Sequence, residues 1–351
     1  MSRRTVASLL AAFLLGVLFF VAVSTPVPYI TMSPGPTVDV LAEVEGEEIV
    51  QVEGSERFDT DGRLELTTIR LTGPDQEVKI GEALMAWFDR SKAIYPRDAF
   101  YAPDESEQDV ETESSVQMVS SQDTAVAVAL TELDYDLDTI TEVLGVLPDG
   151  PADGKLRVRD VVVSVNGVEV AEAADVAEAV QDTPEGEVAT FVVRRKAEEQ
   201  TVRVTPELSE EEPRVPRVGV TVGPSYDFPF DVSLNIDENI GGPSAGLIFS
   251  LAVYDTLTPG ALTGGAAVAG TGTIAEDGSV GPIGGIQQKI VAAADSGAEM
   301  FLVPPGNCEA AAAMTDQVEE MRLVRAPTMH SAVESVTAYA EDPEVALPRC
   351  R

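Results

Sequence analysis

The sequence predicts a multidomain α+β protein that one N-terminal transmembrane helix attaches to a membrane. Three observations predict this class: a long apolar run near the N-terminus, β-branched segments separated by turns in the middle, and glycine-rich loops followed by apolar segments with helical spacing near the C-terminus. In chain order we expect the transmembrane helix, a small membrane-proximal α+β region, a β-rich module and a C-terminal α+β domain. The 351 residues give room for two or three domains with their own cores.

The N-terminal segment, residues 1–28, contains an apolar run from Val6 to Val23. As a helix this run would be roughly 27 Å long, which matches the hydrocarbon thickness of a bilayer. Arg3 and Arg4 precede it, so the positive-inside rule places the N-terminus in the cytoplasm and the bulk of the chain outside the cell membrane. Ala22-Val23-Ser24 also resembles a signal-peptide cleavage site, but we favour an uncleaved single-pass anchor.

The membrane-proximal region, residues 29–103, begins with strand-like patterns at 49–52 and 62–71 and then has a short amphipathic helix at 82–90. We find no catalytic constellation in it. Residues 104–133 begin with an acidic, apolar-poor segment up to Ser115, which is typical of a linker or mobile loop, and continue as a predicted helix.

The β-rich module, residues 134–207, has a strand at 140–147, a turn at 149–154 and a strand at 161–165 that ends in an Asn-Gly turn. A helix at 171–181 and two further strands complete it. A polar, proline-containing linker at 209–216 follows. The C-terminal α+β domain is then expected over 217–342, with a tail at 343–351.

Composition excludes several classes of protein. The net charge of −37 would repel phosphate backbones, which argues against nucleic-acid binding. The single histidine, His330, makes a His-based triad improbable and leaves no multi-histidine metal site, and we predict no cofactor. Cys308 and Cys350 are too few for a zinc site. Outside the cell they could form a disulfide; two free buried thiols are the alternative.

Ser244 is a candidate nucleophile. It follows the loop Gly241-Gly242-Pro243, and apolar residues stand at +3, +4, +7 and +8, so we place it in the first turn of a helix with a buried face. Free N–H groups and the positive dipole end could stabilise an oxyanion there, and we assign Gly242, Pro243 and Ala245 to this loop. The alternative is a serine that only caps the helix.

Lys289 is a candidate general base. Gly285, Ile286, Ala292 and Ala293 stand at −4, −3, +3 and +4, so the lysine lies on a face that a helix would bury. Burial disfavours the charged amine and lowers its pKa, and a neutral amine can take the proton of a serine hydroxyl. The alternative is a lysine whose ammonium group reaches water. Lys289 is the only lysine after Lys196, which counts against a surface role.

Several motifs from about 217 to 340 resemble the proteolytic domain of the Lon proteases. They are Gly-Pro-Ser-Ala-Gly at 242–246, Leu-Thr-Gly-Gly at 262–265, Thr-Gly-Thr-Ile at 271–274 and the segment 281–289 that ends in Gln-Gln-Lys. The resemblance implies a Ser–Lys dyad of Ser244 and Lys289, with Thr271 hydrogen-bonded to the lysine. It also implies possible assembly into rings.

The module at 134–207 contains Gly-Pro-Ala-x-Gly-Lys-Leu at 150–156 and Asp-Val at 160–161, with Gly167 six residues after Val161. At these residues it resembles PDZ domains, which commonly bind a peptide C-terminus by strand addition. Arg159 occupies a position that is often glycine, and the strand before Leu147 lacks a glycine-rich carboxylate loop, so a purely structural PDZ domain is the alternative. The layout of membrane helix, PDZ-like module and Lon-like domain resembles bacterial membrane-anchored PDZ–Lon proteins. Nothing matches the phosphate-binding motif Gly-x-x-x-x-Gly-Lys-[Ser/Thr], so ATP-driven unfolding does not carry over from the family.

Two functional hypotheses follow. The first is a membrane-tethered, ATP-independent serine endopeptidase that cleaves exposed or unfolded segments of envelope proteins and takes protein or peptide substrates. The second is a non-catalytic scaffold or adaptor in which Ser244 and Lys289 only pack. Replacing Lys289 by methionine preserves the side-chain volume without the amine, so it discriminates between them.

Overall fold

The computed structural model of the protein describes residues 3–44, 46–103, 105–196, 198–209, 213–237 and 239–350. In those ranges the α-helices are, in chain order, α1 Arg3–Ser24, α2 Ile80–Phe88, α3 Glu107–Glu132, α4 Ala173–Gln181, α5 Gly246–Leu257, α6 Ile286–Asp295, α7 Cys308–Ala312 and α8 Met329–Glu341. The strands of four or more residues are β1 Tyr29–Asp39, β2 Val50–Glu53, β3 Arg63–Leu71, β4 Ala93–Pro96, β5 Thr139–Val146, β6 Val161–Val165, β7 Ala189–Arg195, β8 Glu198–Val204, β9 Val220–Tyr226, β10 Asp231–Leu234, β11 Ala267–Gly270, β12 Met300–Val303 and β13 Arg322–Arg325.

Sheet A has the strand order β13-β12-β11-β3-β1-β4. Strands β3, β11, β12 and β13 run parallel, and β1 is antiparallel to both of its neighbours. The register sets Gly270 of β11 opposite Leu66 of β3. Thr271, which follows β11, and Thr67, which continues β3, therefore lie side by side where β11 ends.

Residues 29–103 do not form a separate unit, which corrects our prediction. Strands β1, β3 and β4 belong to sheet A together with the C-terminal strands, and β2 pairs with β10. Hydrophobic periodicity identifies a strand but not a hydrogen-bonding partner far along the chain, so the sequence pattern did not reveal this pairing.

Sheet A is covered on both faces. Val268 and Leu302 share one core with the residues of α5, whereas Ala269 and Phe301 point the other way and pack in a core with Ile290 of α6. Alternation of side chains along each strand produces this division. Helices α5 and α6, which carry the segments of Ser244 and Lys289, are thereby fixed to one rigid sheet.

Sheet B, the sheet of the PDZ-like unit, has the order β8-β7-β6-β5-β9 with antiparallel neighbours. Its core centres on Phe191 and includes buried residues of α4. Strand β9 pairs with β5 from Val220 opposite Val146 to Tyr226 opposite Thr139, although we predicted that residues from 217 onward belong to the C-terminal domain. Arg159 has a φ of 75°, the backbone conformation that explains why glycine suits its position.

Helix α3 joins the two units. It begins at Glu107, where Ser106 accepts a hydrogen bond from the Asp109 N–H and Asp109 accepts one from the Ser106 N–H. Most of the predicted acidic linker is therefore helical, because a reciprocal capping box starts the helix there. The helix packs against α5, β5 and β9, and its buried Asp123 forms an ion pair with the partly exposed Arg159 of the PDZ-like unit.

Helix α1 is long and apolar enough to cross a membrane, and none of its residues is buried by the rest of the chain. A signal sequence near an N-terminus meets the same criteria of length and composition. Helix α2 follows close to the end of α1, since the Ile80 N–H donates to the Thr25 carbonyl at 3.0 Å. Its range agrees with the short helix predicted around Trp87.

A disulfide joins Cys308 at the start of α7 to Cys350, with 4.8 Å between their Cα atoms. The preceding tail residues also contact sheet A, where the Arg325 N–H donates to the Pro348 carbonyl at 2.9 Å. The C-terminal tail is thus fixed along the outer strand β13 and beside α7.

Candidate active site

Ser244 lies in the turn that leads into α5, two residues before the first helical residue, Gly246. We predicted the first turn of the helix, and the difference has a physical cause. The Ser244 carbonyl accepts hydrogen bonds from the Gly272 N–H at 2.8 Å and from Thr271 Oγ1 at 2.9 Å. These bonds hold the serine toward the loop after β11, so the helical ladder starts one residue later, from the Ala245 carbonyl to the Phe249 N–H.

Lys289 lies one turn into α6 and is only 2% exposed. The helix begins after Gly285, whose φ of 70° suits glycine. A Cβ at this position would also lie 2.9 Å from Ile69 Cγ2 and from Met32 Sδ. Close approach of the backbone to sheet A therefore requires glycine here, and it brings the lysine beside Thr67 of β3.

The Lys289 amine has three polar neighbours. Its Nζ lies 2.8 Å from Ser244 Oγ, 3.0 Å from Thr271 Oγ1 and 2.8 Å from the Thr67 carbonyl oxygen. Two of these can only accept from the amine: a carbonyl has no proton, and the Thr271 hydroxyl already donates to the Ser244 carbonyl. A neutral amine has two N–H groups, so its lone pair is left for the Ser244 hydroxyl.

Burial lowers the pKa of Lys289 to about 7, because desolvation disfavours its charged form. Among the ion pairs between described residues, none involves this lysine. Asp237 is exposed and accepts its hydrogen bond from Asn239, and Glu238, which we also considered as a partner, lies outside the described residues. A substantial fraction of neutral amine is therefore present near neutral pH.

The three residues that we assigned to the oxyanion loop differ in whether their backbone N–H group is free to bind an oxyanion. The Gly242 N–H donates to the Ser114 carbonyl at 3.0 Å, and Pro243, which has no N–H, accepts from Ser121 Oγ at 3.2 Å. No described residue accepts a hydrogen bond from the N–H of Ser244 or Ala245. Of the three residues assigned from sequence, Ala245 alone retains a donor that is not already used within the described chain.

A cavity of about 900 Å³ opens beside Ser244. Apolar side chains from five separate segments line most of it: Val38, Ile49, Leu66, Met118, Ile236 and Ile240. Arg70 adds a charged group to the wall. Among the described residues, no cluster of three or more His, Cys, Asp or Glu side chains could hold a metal ion.

The Thr67 carbonyl and the contribution of α3 to the site were not predicted from the sequence. A backbone carbonyl can accept from Lys289 whatever side chain its residue carries, so no motif marks it. Ser114 and Ser121 lie in the segment that we treated as linker and predicted helix. The capping box at Ser106 and Asp109 was the signal that could have placed a helix start there.

A second groove lies between α4 and the open edge of β9. Val176 and Val180 form one wall and Val220 and Val222 the other, and Arg217 lies at its end. A glycine-rich carboxylate loop is missing before Leu147, and the edge strand that lines this groove, β9, comes after β8 in the chain. The glycine that precedes this edge strand is Gly219, with a φ of 73°.

Comparisons with known proteins find one family match in the PDZ-like unit and another in the C-terminal unit. Residues 142–195 match the model of the PDZ domain, and residues 239–338 match the model of the Lon protease (S16) C-terminal proteolytic domain. Lon protease 1 from Hydrogenovibrio crunogenus (strain DSM 25203 / XCL-2) is 38% identical over 93 residues, which are 26% of this chain. The match spans 11% of the length of that relative.

Solved structures of PDZ domains are also similar to part of the chain. The PDZ domain of the SdrC-like protein Lin2157 from Listeria innocua is 16% identical, with 24% of this chain and 93% of that chain covered and a TM-score of 0.22. The PDZ domain of the SdrC-like protein Lmo2051 from Listeria monocytogenes is 15% identical, with 23% and 85% covered and a TM-score of 0.22. From the two family models, this chain combines a PDZ domain with a C-terminal proteolytic domain of the Lon protease family.

Proposed function

We propose that the protein is a membrane-tethered serine endopeptidase that uses Ser244 and Lys289 and needs no ATP. One observation supports this proposal most: Ser244 Oγ lies 2.8 Å from an amine whose two other polar neighbours can only accept. Such an arrangement suits removal of the hydroxyl proton, whereas a lysine that only packs has no need of it.

In the proposed reaction, Ser244 Oγ attacks the substrate carbonyl carbon while Lys289 Nζ takes the hydroxyl proton. Thr67 and Thr271 then stabilise the ammonium, since both accept its hydrogen bonds. The N–H groups of Ser244 and Ala245, at the positive end of α5, stabilise the oxyanion. Lys289 returns the proton to the leaving amine, and water hydrolyses the acyl-enzyme in the same way.

The proposed substrates are exposed or unfolded segments of proteins outside the membrane. The apolar cavity beside Ser244 suits an extended chain with aliphatic side chains, and the groove along β9 suits a peptide that adds as a strand and presents its carboxylate near Gly219. ATP independence is proposed because the sequence lacks the phosphate-binding lysine motif. Helix α1 would keep the reaction at the membrane surface.

The test is incubation of the full chain in detergent with an unfolded model protein and no nucleotide, beside Ser244→Ala and Lys289→Met. We expect cleavage by the wild type and none by either variant. The scaffold hypothesis expects all three to be equally inert while binding of partners is unchanged. Cleavage that survives both substitutions would contradict the dyad.

A further inference from the structure

Helix α2 has an unusual surface for a protein with so acidic a chain. Eight of its nine residues, Ile80–Phe88, are uncharged, and only Ala86 is buried. Met85 is 78% exposed, Trp87 77% and Phe88 82%, and Leu84 is exposed as well. A contiguous group of large exposed apolar side chains marks a surface for a partner or a membrane.

The neighbouring strand extends this surface with aromatic side chains. Tyr95 at the end of β4 and Phe100 just beyond it are both exposed, and their rings lie 5.3 Å apart. Tryptophan and tyrosine are the residues that concentrate at the boundary between lipid and water, because each combines an apolar ring with a polar group.

The position of α2 relative to α1 indicates that the exposed apolar surface of α2 faces a lipid bilayer. The Ile80 N–H donates to the Thr25 carbonyl, one residue beyond α1, and the two-residue strand Pro26–Val27 pairs with Val78–Lys79. A Cβ added to Gly81 would lie 3.3 Å from Val23 Cβ, so α2 touches the last turn of α1. If α1 spans a bilayer, these contacts place α2 at the level where α1 leaves it.

Local charge agrees with a lipid surface. Residues 79–98 contain four basic side chains (Lys79, Arg90, Lys92 and Arg97) and three acidic ones, whereas the whole chain has a net charge of −37. A segment with the strongly acidic balance of the whole chain would be repelled by anionic headgroups, whereas this segment has one more basic than acidic side chain.

We propose that α2, with Tyr95 and Phe100, is a membrane-interface surface, in which Leu84, Met85, Trp87 and Phe88 insert among the lipid chains. The proposal rests on the membrane anchor of the proposed function. A helix anchored in the interface beside a transmembrane helix gives the protein a second attachment. Strand β4, which follows α2, is an edge strand of sheet A, so this attachment orients the sheet against which the segments of Lys289 and Ser244 pack relative to the bilayer.

Trp87 is the only tryptophan in the sequence, which permits a direct test. The full chain is reconstituted in vesicles of phosphatidylcholine and phosphatidylglycerol whose acyl chains carry bromine at a shallow or a deep position. We expect a blue-shifted Trp87 emission, quenching by the shallow bromines and protection from an aqueous quencher. The matched control is Trp87→Phe combined with Val168→Trp, which moves the tryptophan to an exposed site in the PDZ-like unit and is expected to lose the quenching by lipid.

Flotation of the vesicles tests the membrane anchor α1 separately from the proposed membrane-interface surface of α2. Leu84→Asp combined with Phe88→Asp is expected to float like the wild type, because α1 remains, but to lose the quenching of Trp87. A wild type that does not float contradicts the anchor and this proposal with it. A wild type that floats with an unquenched, water-accessible Trp87 contradicts this proposal alone, as does quenching that survives the two aspartates. Protection of Trp87 without quenching by lipid would indicate a protein partner or a second copy instead.

Discussion

Thr271 makes two contacts that bear on the protonation of Lys289. Its hydroxyl donates to the Ser244 carbonyl and accepts from Lys289 Nζ. If the hydroxyl were free to rotate, it could donate to the amine and occupy the lone pair that Ser244 needs. Fixing the direction of this one proton therefore keeps the amine available as a base.

Replacing Thr271 by valine should lower kcat of peptide cleavage by about 10- to 100-fold with a smaller change in KM, because a misplaced base affects the reaction more than binding. Thr271→Ser retains the hydroxyl and should keep most of the activity. Steady-state kinetics on a peptide substrate measure both. Equal losses in the two variants would show that packing of the methyl group, not the hydroxyl, matters.

At this scale the side chains of the site were predictable from the sequence, whereas its backbone contacts were not. Ser244, Lys289 and Thr271 were all predicted, and the structure brings their polar atoms within hydrogen-bonding distance, while their catalytic roles remain predictions. Gly242 was assigned to the oxyanion loop, but its N–H is used by Ser114, a partner that no local pattern indicates. The third acceptor of the amine, the Thr67 carbonyl, was missed for the same reason.

At the scale of elements, α3 holds the loop that carries Ser244. The Ser114 carbonyl accepts from the Gly242 N–H, and Ser121 Oγ donates to the Pro243 carbonyl. Two bonds from one helix thus fix both residues that precede the serine. Because α3 also contacts sheet B, the same helix connects the groove of the PDZ domain with the serine loop.

Gly241→Ala tests whether contact with α3 holds the Ser244 loop in place. A Cβ at Gly241 would overlap Ser114 Oγ and lie 2.9 Å from Ser114 Cβ, so the loop must move away from α3. We expect peptide cleavage to fall by about tenfold or more, since a displaced nucleophile loses its alignment with the base. Gly73→Ala is the matched control, because its nearest new contact is an ordinary 3.4 Å from Gln76.

Adding Ser114→Gly to Gly241→Ala should restore much of the activity, since it removes the side chain that the new methyl group meets. Activity assays on the three variants, with circular dichroism to check folding, give the comparison. Full activity in Gly241→Ala alone would show that contact with α3 does not align Ser244.

The range of each element was more predictable than its partners. The helix around Trp87, the strand at 161–165 and the helix at 171–181 follow from periodicity and turns, and the structure has α2, β6 and α4 there. The start of α3 was misjudged, because an acidic composition resembles a linker even when a capping box is present.

At the scale of the whole molecule, the order of domains along the chain does not match their boundaries in space. Strands from residues 29–103 lie within sheet A, and β9 from beyond residue 217 lies within sheet B. Length, composition and motifs predicted the two kinds of unit, and the family models agree for residues 142–195 and 239–338. Strand pairing across such separations depends on tertiary contacts, which periodicity does not report.

The disulfide between Cys308 and Cys350 links the C-terminal tail to the start of α7. It links residues that are 42 positions apart, so loop-closure entropy alone suggests a stabilisation of up to about 4 kcal/mol. Cys308→Ala combined with Cys350→Ala should lower the free energy of unfolding toward that extent while leaving cleavage at low temperature largely intact, because both cysteines lie outside the serine cavity.

Urea denaturation followed by circular dichroism, with and without dithiothreitol, measures this effect. Reduction should destabilise the wild type and leave the double alanine variant unchanged. A wild type that is insensitive to the reductant would show that the bond contributes nothing measurable to stability.

The central claim is that Lys289 is a neutral base for Ser244, and the most direct test is the pH dependence of Ser244 labelling by a fluorophosphonate. Because burial lowers the pKa of Lys289 to about 7, the amine is protonated below that pH and neutral above it. We predict that the labelling rate of the wild type rises through about pH 7 and then levels off, that mass spectrometry finds the label on Ser244, and that Lys289→Met labels far more slowly at every pH. A rate that continues to rise toward pH 10, as an ordinary lysine would give, or a Lys289→Met variant that labels as fast as the wild type, would contradict the claim.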